Sequence, residues 1–324
     1  MADVRPFRGL RYDARRAGPL DRLIAPPYDV ISPEQQDRLH EASPYNVIRI
    51  ELGRDLPDDT PERNRYTRAA DALRQWREAG VLAQDANPAC YLYEQEFRYH
   101  GHAYRRRALF ARVRLEPWEA GVIRPHEHTL APAREDRLRL LRAVRCNVSP
   151  VYGLYRGGRR DLQAVLDGAA AGPPAADATD VLGLRHRLWL LTDPAALEAA
   201  AAALAGATIY IADGHHRYET ALAYRDERRA AAPSWTGEEP ENFVLMGLTA
   251  ADDPGLLVLP IHRLVRPVRR PADLAAALGY AFRLEEVPVH PDGTEAALAA
   301  LQDRLTGPGA YGVLGLVPGR AFLL

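Results

Sequence analysis

The chain of 324 residues is 47% hydrophobic and 26% charged with a formal net charge of −1, which excludes a disordered chain and a strongly basic nucleic-acid surface. All 42 basic residues are arginine, which excludes Schiff-base, P-loop and protein-kinase lysines, so a phosphate held by a cationic side chain must be held by Arg or His⁺. The two cysteines, Cys90 and Cys146, sit in no CxxC spacing and so give neither a zinc ribbon nor a disulfide scaffold.

The N-terminus carries no apolar h-region, and the long uncharged run 199–212 is too short and too rich in Ala and Gly to span a bilayer. A cytoplasmic protein with no membrane contact is expected. The first predicted elements follow Pro26-Pro27, which force an extended path. Ser32-Pro33-Glu34-Gln35 reads as a capping box that opens a helix. Asn46 to Leu52 reads as a strand. Thr60-Pro61 starts a second helix, with Tyr66, Ala69, Ala70, Leu73 and Trp76 at helical spacing and a stop at Gly80.

Cys90 to Tyr99 and Ala103 to Leu115 flank His100-Gly101-His102 as a β-hairpin. Strands are expected over 148–155 and 187–191, separated by a short helix and a loop at 168–178. Asp193-Pro194 caps an alanine-rich helix ending at Gly206, and a buried-type strand, 208–212, runs into Asp213-Gly214 and another helix. Beyond it, strands near 243–249, 256–265 and 311–317 alternate with helices near 271–278 and 294–305. The apolar end, 321–324, reads as a docked strand or as a chain shorter than its relatives. The class is α/β or α+β with a mixed sheet, divided into 1–115, with the PPYD turn and the hairpin, and 116–324. The two segments are expected to pack around one site.

Three segments look chemical. In Asp213-Gly214-His215-His216-Arg217 a strand ends, Asp-Gly turns the chain, and a helix begins with basic residues in its first turn. Positive charge there opposes the helix macrodipole unless an anion, phosphate above all, binds the open N–H groups and cationic side chains together. Gly214 would permit close backbone approach. The second segment is Pro125-His126-Glu127-His128-Thr129, followed by Arg134-Glu135-Asp136-Arg137. Its HxH spacing chelates a metal only with a third ligand. The third is the rigid Pro26-Pro27-Tyr28-Asp29 turn. The triplet Arg105-Arg106-Arg107 reads as a solvated strand edge.

Together these segments resemble the bacterial and archaeal family known as domain of unknown function 1015. The likeness rests on APPYDVIS (25–32), the Trp76 helix, PHEHT (125–129), EDRL (135–138), NVSPVY (147–152), ADGHHRYETA (212–221) and LPIHR (259–263). Relatives continue for a further domain-sized stretch, so this chain is expected to be shorter than they are. The DGHHR turn also resembles the strand–Gly–helix phosphate-binding turn of the ParB/sulfiredoxin-like superfamily, which includes free serine kinases and in which the helix N-terminus receives nucleotide phosphates.

The expected function is a phosphotransferase between a nucleotide and a small hydroxyl compound, with free serine or phosphoserine as the expected substrate. The alternatives are a phosphomonoester hydrolase, such as a phosphoserine phosphatase, and a non-enzymatic ParB-like nucleotide-binding regulator. Gly214, His215, His216, Arg217, Arg134 and Arg137 are expected to bind phosphate. Glu127 or Asp29 is the expected base, with His126 and Asp213 also catalytic. Tyr28 and Thr129 are placed on the substrate, and Asp213 on Mg²⁺ carried with ATP or ADP. The expected partners are a nucleotide and a small molecule, not a nucleic acid, and a homodimer is left open.

Overall fold

A computed structural model describes residues 1–99, 101–259, 274–287, 312–314 and 321–323, and the chain divides into two units, Met1–Val258 and Leu259–Leu324. The first is built on a mixed sheet. Its heart is the hairpin of β4 (Cys90–Tyr99) and β5 (His102–Arg114), closed between Tyr99 and His102 beside Gly101 at φ +79°. Outward from β5 come β11 (Phe243–Ala250), β7 (Val151–Tyr155), β10 (Ile209–Asp213) and β6 (Ile123–Arg124). Outward from β4 come β9 (Arg185–Leu191) and β8 (Ala176–Thr179). The short β1 (Val4–Arg5) also pairs with β5. The β7–β11 and β6–β10 pairs are parallel and the rest antiparallel.

Alternation along these strands puts Leu109, Ala111 and Val113 of β5, Val244, Met246 and Leu248 of β11, and Ile209 and Ile211 of β10 into one core. Three helices cover it: α6 (Arg160–Ala170) through Leu162 and Leu166, α7 (Pro194–Ala205) through Ala200 and Leu204, and α8 (His215–Ala231) through Tyr218 and Ala221. Packing is tight at Gly153, where a Cβ would lie 2.7 Å from Ile209 and 2.9 Å from Met246.

A second core gathers the N-terminal elements β2 (Leu10–Tyr12), α1 (Ala14–Ala17), α3 (Ile48–Glu51), α4 (Arg65–Glu78) and β3 (Leu82–Gln84), which pairs with β2, and α2 (Pro33–Ala42) packs against α3. Leu23, Ile50, Leu73, Trp76 and Val81 are its main residues. Leu140 and Val144 of α5 (Ala131–Val144) complete it. Because α5 packs on α8 as well as on α4, the motif-bearing helices lie at the seam between the two cores.

Local chemistry explains most starts and stops. Ser32 and Gln35 make the reciprocal capping box of α2. Asp193 accepts from Ala196 N–H to start α7, which ends at Gly206. The helix read from Thr60-Pro61 begins later. Asn64 caps α4 together with Thr67, and Thr60 instead closes the preceding turn by accepting Arg63 N–H. The strand read over Asn46 to Leu52 is the short helix α3. Asn46 is fully buried, accepts from Ile48 N–H and donates to Arg22 and Ile24 carbonyls, which fixes a turn that β-branched propensity does not foresee. The 168–178 loop is shorter than expected, because α6 runs to Ala170 and β8 begins at Ala176.

The Arg105-Arg106-Arg107 triplet faces β4, where Glu94, 2% exposed, takes Arg107 at 2.6 Å. In the second unit, β14 (Ala321–Leu323) pairs with β12 (Glu285–Val287) and β13 (Gly312–Leu314), and α9 spans Leu274–Gly279. At 256–259 there is no strand, and Leu256 N–H closes a turn on Asp253. The rest of that predicted strand, the helix at 294–305 and His262-Arg263 lie outside the described residues. Among the described residues no helix is long and apolar enough to cross a membrane.

Buried His40 of α2 gives a pH signature. Its Nε2 has no hydrogen-bond partner among the described residues, and burial, with Arg54 and Arg49 nearby, pulls its pKa down to about 4. The unfolded imidazole titrates near 6.5, so the unfolded state binds the extra proton first. This contribution is complete above pH 6.5 and is lost as pH falls towards 4, roughly 1–3 kcal/mol in all. Urea denaturation across that range is expected to show a smaller loss in His40→Leu than in wild type. Equal slopes would remove His40 as the cause.

Candidate active site

Strand β10 delivers Asp213 to the surface. Gly214 follows at φ +90°, a left-handed conformation, and α8 begins at His215 with no side-chain cap on its first turn. Strand β6, parallel to β10, carries the PHEHT loop to the same end of the sheet. The loop and the helix start are stitched together through histidines. His126 Nδ1 bonds the Ile211 carbonyl at 2.7 Å, His126 N–H donates to His215 Nε2 at 3.3 Å, and Leu130 N–H donates to His216 Nε2 at 2.9 Å. The His126 and His215 rings meet edge to face at 4.5 Å.

These bonds revise the expected charge. A ring nitrogen that accepts an N–H bond carries no proton, so His215 and His216 are both held as neutral Nδ1–H tautomers. His215 is 1% exposed, and burial lowers its pKa against the pull of Glu127. Its Nδ1 lies 3.0 Å from Glu127 Oε1, close but off the line of a hydrogen bond. The Glu127 side chain itself is half-exposed. A carboxylate thus reaches solvent with a neutral imidazole behind it.

Arg217 is the one fixed cation of the first turn, and its guanidinium is already engaged. It donates to the Asp213 carboxylate and the Pro150 carbonyl, and its buried Nε has no hydrogen-bond partner among the described residues. It folds back over Gly214, where a Cβ would lie 3.0 Å from Nε. The close approach that Gly214 allows is taken by Arg217. The misplaced positive charge is therefore balanced from within by Asp213.

The other predicted phosphate ligands are placed differently. Arg137 is 5% exposed, and it donates to Asp136 at 2.5 and 2.8 Å and to the Glu51 carbonyl and carboxylate at 3.0 and 3.2 Å. Tyr28 lies with its ring 4.0 Å from the Arg137 guanidinium, a cation–π contact that uses the PPYD turn. Burial pushes the Tyr28 phenol up. Burial would also raise Asp136, but Arg137, Tyr66 and Arg65 outweigh it and hold the carboxyl low. Asp29 is exposed in the same turn. Arg134 and Thr129 both bond Glu219.

Sequence reasoning missed Glu51, Asp136, Ser149 and Glu219 as site residues. Glu51 is the most informative. It is 5% exposed at the end of α3, and with Arg137, Ser149, Arg217 and Thr220 it lines a cavity of about 40 Å³. The sequence offered little signal, because Glu51 falls at a polar position of the alternating segment Ile48–Leu52, which a strand reading places on a solvent face.

No group of three His, Cys, Asp or Glu side chains is placed to hold a metal among the described residues. Asp213 is a single half-exposed carboxylate.

Fold and site define a mixed α/β protein in which five sequence motifs converge on the start of one helix and the charged seam behind it. The chain belongs to the family described as protein of unknown function (DUF1015), whose model matches residues 4–311. Comparison with curated proteins and with solved structures gave no match.

Proposed function

We propose that the protein is a phosphotransferase that moves a phosphoryl group from a nucleotide to a small hydroxyl compound. The observation that carries the reading is the start of α8, a 17-residue helix with an uncapped first turn over which the Arg217 guanidinium is folded. Open N–H groups, the positive end of the macrodipole and an adjacent guanidinium form an anion site suited to charge developing on a transferring phosphoryl group. Arrival of phosphate replaces Asp213 on Arg217 and releases a carboxylate for Mg²⁺ carried with ATP or ADP. The metal would supply charge neutralisation between the phosphates.

Glu127 takes the proton of the acceptor hydroxyl. Half-exposed and backed by His215 at 3.0 Å, it is the carboxylate best placed beside the helix start, whereas Asp29 belongs to the turn whose Tyr28 packs on Arg137. The likeness to ParB/sulfiredoxin-like serine kinases makes free serine the first acceptor to try.

Incubation with labelled ATP or ADP and serine, and separately with phosphoserine alone, tests the reading. Nucleotide-dependent label transfer is the expected result. Phosphate release from phosphoserine without nucleotide would establish the hydrolase instead, and nucleotide binding without turnover would establish a regulator.

A further inference from the structure

The cavity behind Arg217 is a feature that the phosphoryl-transfer reading does not use. Around it stand Glu51 from α3, Arg137 from α5, Ser149 from the segment before β7, and Arg217 and Thr220 from α8. Two of these side chains, Glu51 and Arg137, are more than nine-tenths buried. All three Arg137 nitrogens are engaged by Asp136 and Glu51, whereas the buried Arg217 Nε–H has no hydrogen-bond partner among the described residues. A buried guanidinium N–H left without an acceptor costs about 1–3 kcal/mol, which an incoming acceptor atom would recover.

We infer that this cavity receives a carboxylate of the acceptor molecule, so that the acceptor is a small hydroxy acid and not a neutral alcohol. The inference rests on the phosphotransferase reading for the fate of the hydroxyl, but the pocket stands on its own residues. About 40 Å³ is room for roughly two or three small polar atoms, the size of one carboxylate group. Such a group would accept from Arg217 Nε–H while its hydroxyl-bearing carbon projects past Arg217 towards the start of α8.

Charge decides the details. Within the seam the guanidiniums of Arg65, Arg137 and Arg217 are matched by the carboxylates of Asp136, Glu51 and Asp213, while Asp55, the other partner of Arg65, is largely exposed and solvated. The groups that face Glu51 are Arg137 and Asp136 on α5, Arg217 on α8 and the Ser149 hydroxyl. A further carboxylate makes the cluster one negative charge too many, and a proton on Glu51 restores the balance. Burial already pushes the Glu51 carboxyl up, with Arg137 and Ser149 opposing. The protonated Glu51 then donates to the bound carboxylate, so the two acids share one proton. A phosphate dianion would bring twice the charge to the same carboxyl.

The probes are glycerate, glyceramide and glycerol, offered to the full chain by calorimetry and then as acceptors with labelled ATP. Glycerate is expected to bind about 10- to 100-fold more tightly than glyceramide and to take up close to one proton, read from titrations in buffers of different ionisation enthalpy. Ser149→Val, which fills the cavity, is expected to lose glycerate binding while keeping ATP binding. Glu51→Gln is expected to abolish proton uptake. If glycerate and glycerol bind and accept phosphate equally, the carboxylate pocket is overturned and phosphotransfer stands. If glycerate binds with proton uptake and Ser149→Val prevents it but no phosphate is transferred, the pocket stands and the phosphotransferase reading falls. No binding of glycerate overturns the pocket outright.

Discussion

Replacing Arg137 by alanine is expected to destabilise the folded protein by about 3–5 kcal/mol, the penalty for removing one partner of a buried ion pair. The guanidinium joins three elements. It holds Asp136 at 2.5 Å and Glu51 at 3.2 Å and lies against the Tyr28 ring at 4.0 Å. Without it, Glu51 is an acid inside the seam between the two cores, with only Arg217 and the Ser149 hydroxyl left to offset its burial. Urea denaturation at pH 7 measures the effect. A residue that merely contacts phosphate would lower ligand affinity and leave the ligand-free protein about as stable. A loss below about 1 kcal/mol, within the range of an exposed pair, would return Arg137 to the phosphate ligands. Arg137→Lys keeps the charge but not the fork that spans Asp136 and Glu51, so it should recover only part of the loss.

The second large effect concerns chemistry. Glu127→Gln keeps the size and hydrogen-bonding reach of the side chain but cannot take a proton. Turnover is expected to fall by roughly 10²–10⁴-fold, with nucleotide affinity almost unchanged because Glu127 lies opposite His215 and not on the Arg217 guanidinium. His215→Gln is expected to give a smaller fall, since a neutral imidazole positions the carboxylate without exchanging the proton itself. Steady-state kinetics that separate kcat from KM distinguish the two. Unchanged turnover in Glu127→Gln would move the base to Asp29 or to another carboxylate.

On the proposed reading, the stability of the seam and the chemistry at the helix start would be linked through Arg217. Its contacts run forward to Asp213 at the surface and back to the carbonyl of Pro150, the residue after Ser149 of the cavity. An anion that draws the guanidinium forward therefore disturbs the wall of the cavity. The two ligands of a transfer reaction would then sense each other through a single side chain.

Short-range patterns were legible in the sequence because their causes are local. The Ser32 capping box, the Asp193 cap, the β4–β5 hairpin and the strand–Gly–helix turn at Asp213-Gly214 each need only a few adjacent residues. The family was legible as well, since its motifs are long and occur in order. Tertiary structure alone decided which charges meet. Arg137 and Arg217 read alike as basic residues near motifs, yet one is locked between Asp136 and Glu51 and the other rests on Asp213 beside a cavity. The histidines read as cations became neutral hydrogen-bond acceptors because backbone N–H groups from a loop more than 80 residues away reach their rings. Glu51 passed as a strand residue because nothing near it in the chain announces Arg137. Periodicity fixes which face a residue takes, but the partner of a buried charge comes from whichever distant segment the packing brings against it.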